Sequence, residues 1–199
     1  MRIKLTLLVV ALFAASKLFG QISGNCVADV ILSGYSERDY TSVPVTDQQL
    51  DLILKCGIKA PSARNGQPWR FTVIKEEAAM KEIVNNVVPG NVLIVVSGTE
   101  SQGGTTPDFD CGLATESMFV AAHGLGLGAR IYGSPAANIN SKKEFFQIPT
   151  GYKAMEIGAA STGKPVRKCG KNIGTLRGPS YPQKVCFTYM KKGKEMWGF

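Results

Sequence analysis

The chain has 199 residues, 44% of them apolar and 19% charged. That balance excludes a disordered chain, and the length supports one globular domain but is short for two. The +8 charge comes from 23 Lys and Arg against 15 Asp and Glu. Such a surplus permits nucleic acid, an anionic surface or a phosphate as partner; no nucleic-acid motif accompanies it, so none is expected.

The first stretch reads as a leader. Arg2 and Lys4 precede an apolar run from Leu5 to Ala15, and small residues follow at Ala14, Ala15, Ser16 and Gly20. A run of that length does not span a bilayer as a helix. Residues 1–20 are therefore expected to be a cleaved signal peptide, and residues 21–199 a single domain with no membrane span, exported to the periplasm. The other basic concentration lies late in the chain, from Lys164 to Lys194. The five cysteines, Cys26, Cys56, Cys111, Cys169 and Cys186, are odd in number and irregular in spacing. They do not form a disulfide framework or a zinc motif, although a Cys169–Cys186 bridge stays open. No metal site is expected.

Residues 22–33 predict a short helix leading to Gly34. A better-supported helix covers 47–59, where Thr46 and Gln49 have the spacing of a capping box. Leu50, Ile53, Leu54 and Ile58 fall on its apolar face, and Pro61 follows its end. A strand is predicted at 71–74, a helix at 76–84 and a turn at 89–91. The apolar run 92–96 fits a strand buried on both faces. The longest helix is expected at about 112–125, with Asp108 or Asp110 near its start and Gly124, Gly126 and Gly128 ending it. Strands follow at 129–132 and 155–160, with a helical stretch near 141–146 between them. Residues 184–190 are β-prone, in a position to reach over a partner. Helices alternating with short strands pack most naturally as a mixed sheet with helices on both faces.

Chemistry concentrates in one segment, Ala60-Pro61-Ser62-Ala63-Arg64-Asn65-Gly66-Gln67-Pro68-Trp69-Arg70-Phe71. Ser62 offers a hydroxyl, and Asn65 and Gln67 offer amide donors and acceptors suited to a polar planar ligand. Two prolines stiffen the segment, and Trp69 offers an apolar wall. His123 is the sole histidine and reads as a packing or surface residue. With no evident base, Ser62 is not expected to be a nucleophile.

This segment resembles the A-P-S-x-x-N-x-Q-P-W motif of the nitroreductase family. Ser36-Glu37-Arg38-Asp39-Tyr40 is similar to that family's S-x-R-x-[FY] element, and residues 110–128 are similar to its long central helix and glycine-rich end. The resemblance covers about residues 34–134. It implies an α+β fold of three layers, α-β-α, with a mixed central sheet, in a homodimer that holds two FMN molecules at the subunit interface. It implies that Ser36 and Arg38 meet the FMN phosphate, with Lys164 and Arg167 as late basic contacts. Pro61, Ser62, Ala63 and Asn65 would reach the ring from the partner subunit. Gln67 would support the loop or the ribityl chain, and Tyr132 and Gly133 would lie near the reactive face. Arg64 or Arg70 would supply positive charge there. The implied activity passes electrons from NAD(P)H through FMN to nitroaromatics, quinones or similar small electrophiles, in a ping-pong cycle with no catalytic side chain. Gly34 and Tyr35 stand where the family carries basic residues. That departure and the expected export favour the alternative, a flavin-binding or flavin-carrying protein with little turnover.

Overall fold

The computed structural model describes residues 26–101, 106–161 and 187–190. The expected leader, Lys164 and Arg167, and Cys169 and Cys186 lie outside those residues. In chain order come α1 (Cys26–Ser33), α2 (Asp47–Ile58), a 3-10 turn (Ala63–Asn65), β1 (Trp69–Ile74), α3 (Glu77–Lys81) and β2 (Val92–Thr99). Then follow α4 (Pro107–Gly124), β3 (Gly128–Tyr132), α5 (Ala136–Ser141), β4 (Tyr152–Ser161) and β5 (Phe187–Met190).

The strands form one sheet in the order β3-β4-β2-β1-β5. Three pairings are antiparallel, and β5 runs parallel to β1. The sheet is therefore mixed. Its period-two alternation separates two cores. Phe71, Val73, Ile94 and Val96 pack with residues of α2 and α4 on one face. Ile74, Leu93 and Val95 pack with Met80 of α3 and Ile139 of α5 on the other. The result is the expected α-β-α sandwich.

Helix α2 begins as its sequence dictates. The Gln49 N–H donates to Thr46 Oγ1 at 3.2 Å, and the Thr46 N–H donates to Gln49 Oε1 at 3.0 Å. Its face of Leu50, Ile53, Leu54 and Ile58 is buried. Gly57 lets α2 approach α4 closely, since a Cβ there would stand 2.7 Å from Met118 Cγ. At the far end of α4, Gly126 takes φ +76°, where L side chains are strained, and its N–H donates to the His123 carbonyl at 2.9 Å.

Several boundaries differ from the sequence expectation. α4 starts at Pro107, because proline fits the first turn, where its missing N–H has no intrahelical partner to lose. The helix expected near 141–146 lies at Ala136–Ser141, followed by turns in which Phe146 N–H donates to the Lys142 carbonyl. β2 runs on to Thr99 and β4 begins at Tyr152. The late strand lies along β1 of its own chain, with Phe71 opposite Phe187.

Candidate functional site

Residues 62–67 turn between α2 and β1 in a conformation most side chains avoid. Arg64, Asn65 and Gln67 have φ of 52°, 54° and 46°. Asn tolerates that region, whereas Arg and Gln seldom enter it, at a cost of about 1–3 kcal/mol each. Internal hydrogen bonds offset part of this. Asn65 N–H donates to the Ser62 carbonyl at 3.0 Å and Gly66 N–H to the Ala63 carbonyl at 2.9 Å. Gln67 N–H donates to Ser62 Oγ at 3.1 Å, and Gln67 Nε2 donates to Asn65 Oδ1 at 3.1 Å. A further bond comes from outside: Ala63 N–H donates to Asp110 Oδ1 at 3.1 Å, from a carboxylate only 2% exposed. Pro61 and Asn65 are exposed, and Ser62, Ala63 and Gln67 half-buried. With Asn65 Oδ1 already engaged, its amide N–H groups can donate to a ligand, beside the exposed Arg64.

Trp69 is not a wall of this site. It is fully buried and stacks on Phe71 at 6.4 Å between ring centroids. The alternation of β1 turns it to the α2–α4 face with Phe71 and Val73. Arg70 is also committed elsewhere: Nη1 donates to the Trp69 carbonyl at 3.0 Å and its guanidinium lies over the Tyr152 ring. Arg64 stays exposed.

The second group of expected site residues lies along the β3 edge of the sheet. Ser36 bridges Ala129 in parallel, and Glu37 N–H donates to the Ala129 carbonyl at 2.9 Å. Ser36 and Arg38 are exposed on this strip, while Glu37 turns inward and is 5% exposed. Its carboxylate accepts the Arg38 and Asp39 N–H groups at 2.9 and 3.1 Å and the Tyr35 hydroxyl at 2.7 Å. Further along, burial and a hydrogen bond with Tyr132 push the Tyr40 phenol well above its ordinary pKa. Tyr132 Oη also donates to Asn86 Oδ1 at 3.2 Å. Gly133 follows, exposed, with no atom within 4 Å of where a Cβ would be. Beside this edge is a small apolar hollow lined by Met118, Phe119, Ala122, Ile131 and Gly158, with Arg130 as its cation.

The structure thus brings Ser36, Arg38, Tyr132 and Gly133 to one sheet edge and Pro61 to Gln67 into one loop, but it does not bring the two groups together within one chain. The loop is tied to Asp110, near the start of α4. The strip packs at its end, where the His123 ring lies 6.0 Å from Tyr35. Thirteen helical steps, from Asp110 to His123, separate those ends, about 20 Å along the axis.

His123 is a buried packing residue, edge-on to Phe119 at 4.5 Å. Burial holds its pKa below the usual range, against the opposing pull of the Tyr35 backbone and the Glu37 carboxylate. The Cys111 thiol is pushed up to about 12, chiefly by burial and then by nearby carboxylates, which leaves it inert as a nucleophile. Among the described residues no acidic, histidine or cysteine cluster could hold a metal, and no helix is long and apolar enough to cross a membrane. Sequence reasoning missed the Asp110–Ala63 bond and the inward Glu37.

The profile of the Nitroreductase family matches residues 31–91. A provisionally named NADH dehydrogenase/NAD(P)H nitroreductase of Archaeoglobus fulgidus is 32% identical over 109 residues, 50% of this chain; the match spans 63% of that relative, under two thirds of its length. A protein of the same provisional name from Methanothermobacter thermautotrophicus is 28% identical over 74% of this chain and 88% of its own length. Among solved structures, a provisionally named nitroreductase of Desulfovibrio desulfuricans in complex with FMN is 28% identical, with a TM-score of 0.61, over 79% of this chain and 99% of that one.

Proposed function

We propose that this chain, a member of the nitroreductase family, is an FMN-dependent oxidoreductase that takes electrons from NAD(P)H and passes them to nitroaromatics, quinones or similar small electrophiles. The observation that carries the reading is the 62–67 loop, whose three left-handed residues hold an exposed Asn65 with its Oδ1 engaged by Gln67. Strain of this kind persists where the surroundings over-determine it, as at ligand clamps. The residues on the β3 edge fit the other end of the same ligand. Arg38 and Ser36 give an exposed cation and hydroxyl for a phosphate. Gly133 leaves open space for a ring to approach the backbone, next to Tyr132. Lys164 and Arg167 belong to the same proposal as late phosphate contacts, and Pro61, Ser62 and Ala63 as the wall beside the ring. Gln67 keeps the role of loop support. When bound, FMN supplies the electron chemistry itself, in ping-pong order.

The placement of the two groups supports a homodimer. Loop and strip lie at opposite ends of α4, so a two-fold partner with its own α4 antiparallel would bring one chain's loop to the other's strip. Exposed Val27, Ile31 and Leu32 on α1 and Phe109 on α4 give such a partner apolar surface to cover.

Export of residues 21–199 after loss of residues 1–20 is part of the reading; N-terminal sequencing of the secreted protein tests it. The flavin-carrier alternative draws on Gly34 and Tyr35, which leave the strip without a basic pair. One experiment separates the two. The purified protein is mixed with FMN, desalted, and given NAD(P)H or dithionite anaerobically. Retained flavin bleached by NAD(P)H and recoloured by a quinone is the expected result. Flavin bleached by dithionite alone favours the carrier, and loss of all flavin on desalting overturns the cofactor assignment.

A further inference from the structure

Two acids stand in the first turn of α4, and they behave differently. The Asp108 side chain is 72% exposed and lies 3.6 Å from Lys153. It is placed to answer the positive end of the helix from solvent. Asp110 is buried, and a buried carboxylate is costly unless it is bonded. Its Oδ1 accepts the N–H of Ala63, 47 positions earlier in the chain. The other hydrogen bonds of residues 62–67 run within the loop. Among the described residues, the Asp110 bond is the one that joins this loop to the rest of the fold.

We propose that Asp110 is a positioning residue for the flavin-facing loop. It fixes the Ser62–Ala63 peptide at the point where the chain turns into the left-handed Arg64. The internal bonds can close the turn, but they cannot set its place relative to α4. Asp110 sets that place, and with it the direction of the Asn65 amide. Since the strip packs at the other end of α4, one helix holds a loop and a strip that serve different sites of the proposed dimer. The inference rests on the reading of residues 61–67 as a flavin contact.

Asp110→Ala, Asp110→Asn and Asn65→Ala test it by three measurements: the FMN dissociation constant, the visible circular dichroism of bound flavin, and hydrogen exchange at the Ala63 amide. Asp110→Ala is expected to weaken FMN binding about tenfold, to change the flavin dichroism and to remove Ala63 protection. Asp110→Asn keeps an acceptor oxygen and should stay within about threefold of wild type. Wild-type affinity and dichroism in Asp110→Ala would overturn the proposal, as would Asp110→Asn being as defective as Asp110→Ala. If Asp110→Ala does not fold, the wild-type protein still decides: an Ala63 amide that exchanges as fast as an unbonded one sinks the proposal. An Asn65→Ala variant with unchanged FMN affinity would instead remove the flavin reading of the loop, while Ala63 exchange would still report on the Asp110 bond.

Discussion

The 62–67 loop and the 34–38 strip lie at opposite ends of α4 and are held by opposite means. The loop is strained, with three non-glycine residues at positive φ, and a buried acid ties it to the helix. The strip is extended, borrows its order from the β3 edge, and fills its inner side with the Glu37 carboxylate. The loop offers the Asn65 amide beside the exposed Arg64, and the strip offers Arg38 with the Ser36 hydroxyl. Two devices held so differently should answer to different parts of a flavin: the loop to the ring, the strip to the phosphate.

Comparing FMN with riboflavin breaks or sharpens this contrast. The largest effect is expected from Arg38→Ala, which should weaken FMN binding by about 10- to 100-fold, the worth of a charge-assisted bond, and leave riboflavin unchanged. Equal losses for both flavins in a fluorescence titration would show that the strip does not meet the phosphate. A smaller and opposite change is expected from Gly34→Arg. The Cβ position there makes ordinary contacts, 3.4–3.5 Å from two carbonyl oxygens and His123 Cδ2. Added charge should tighten FMN about threefold at low salt and lose that gain at high salt.

The smallest effect concerns the packing under the strip. His123 has a depressed pKa when folded, so the unfolded chain binds a proton more readily. Its contribution to stability is therefore full above the unfolded value of about 6.5 and is lost as the pH falls through the folded pKa. The facing groups are the Glu37 carboxylate and the Tyr35 backbone, both of which oppose the depression. The thermal midpoint should fall by roughly 2–4 °C between pH 7.5 and 5.5, and His123→Phe should flatten that part of the profile.

Local chemistry was legible where neighbours in sequence decide the structure. Thr46 and Gln49 announced α2, and the apolar run at 92–96 announced β2 because burial on both faces leaves no alternation to see. The 61–67 segment stood out by its side chains alone. Contacts that depend on the finished sandwich were not legible. Nothing near Trp69 shows that its ring turns to the α2–α4 face. Nothing near Asp110 names Ala63 as its partner, since the bond exists only once α4 lies against the end of β1. Pro107 did carry a signal for the start of α4; reading the helix from its apolar residues placed the boundary too late.

The pairing of β5 with β1 bears on how the chain stays single. Trp69–Ile74 is paired with β2 on one side, and its other side is closed by Phe187–Met190. During synthesis, that side carries unpaired backbone groups until residues 187–190 emerge. An open edge on an apolar strand is a template for strands of other chains. A chain cut before residue 187 should therefore aggregate through β1 even with its whole candidate site intact.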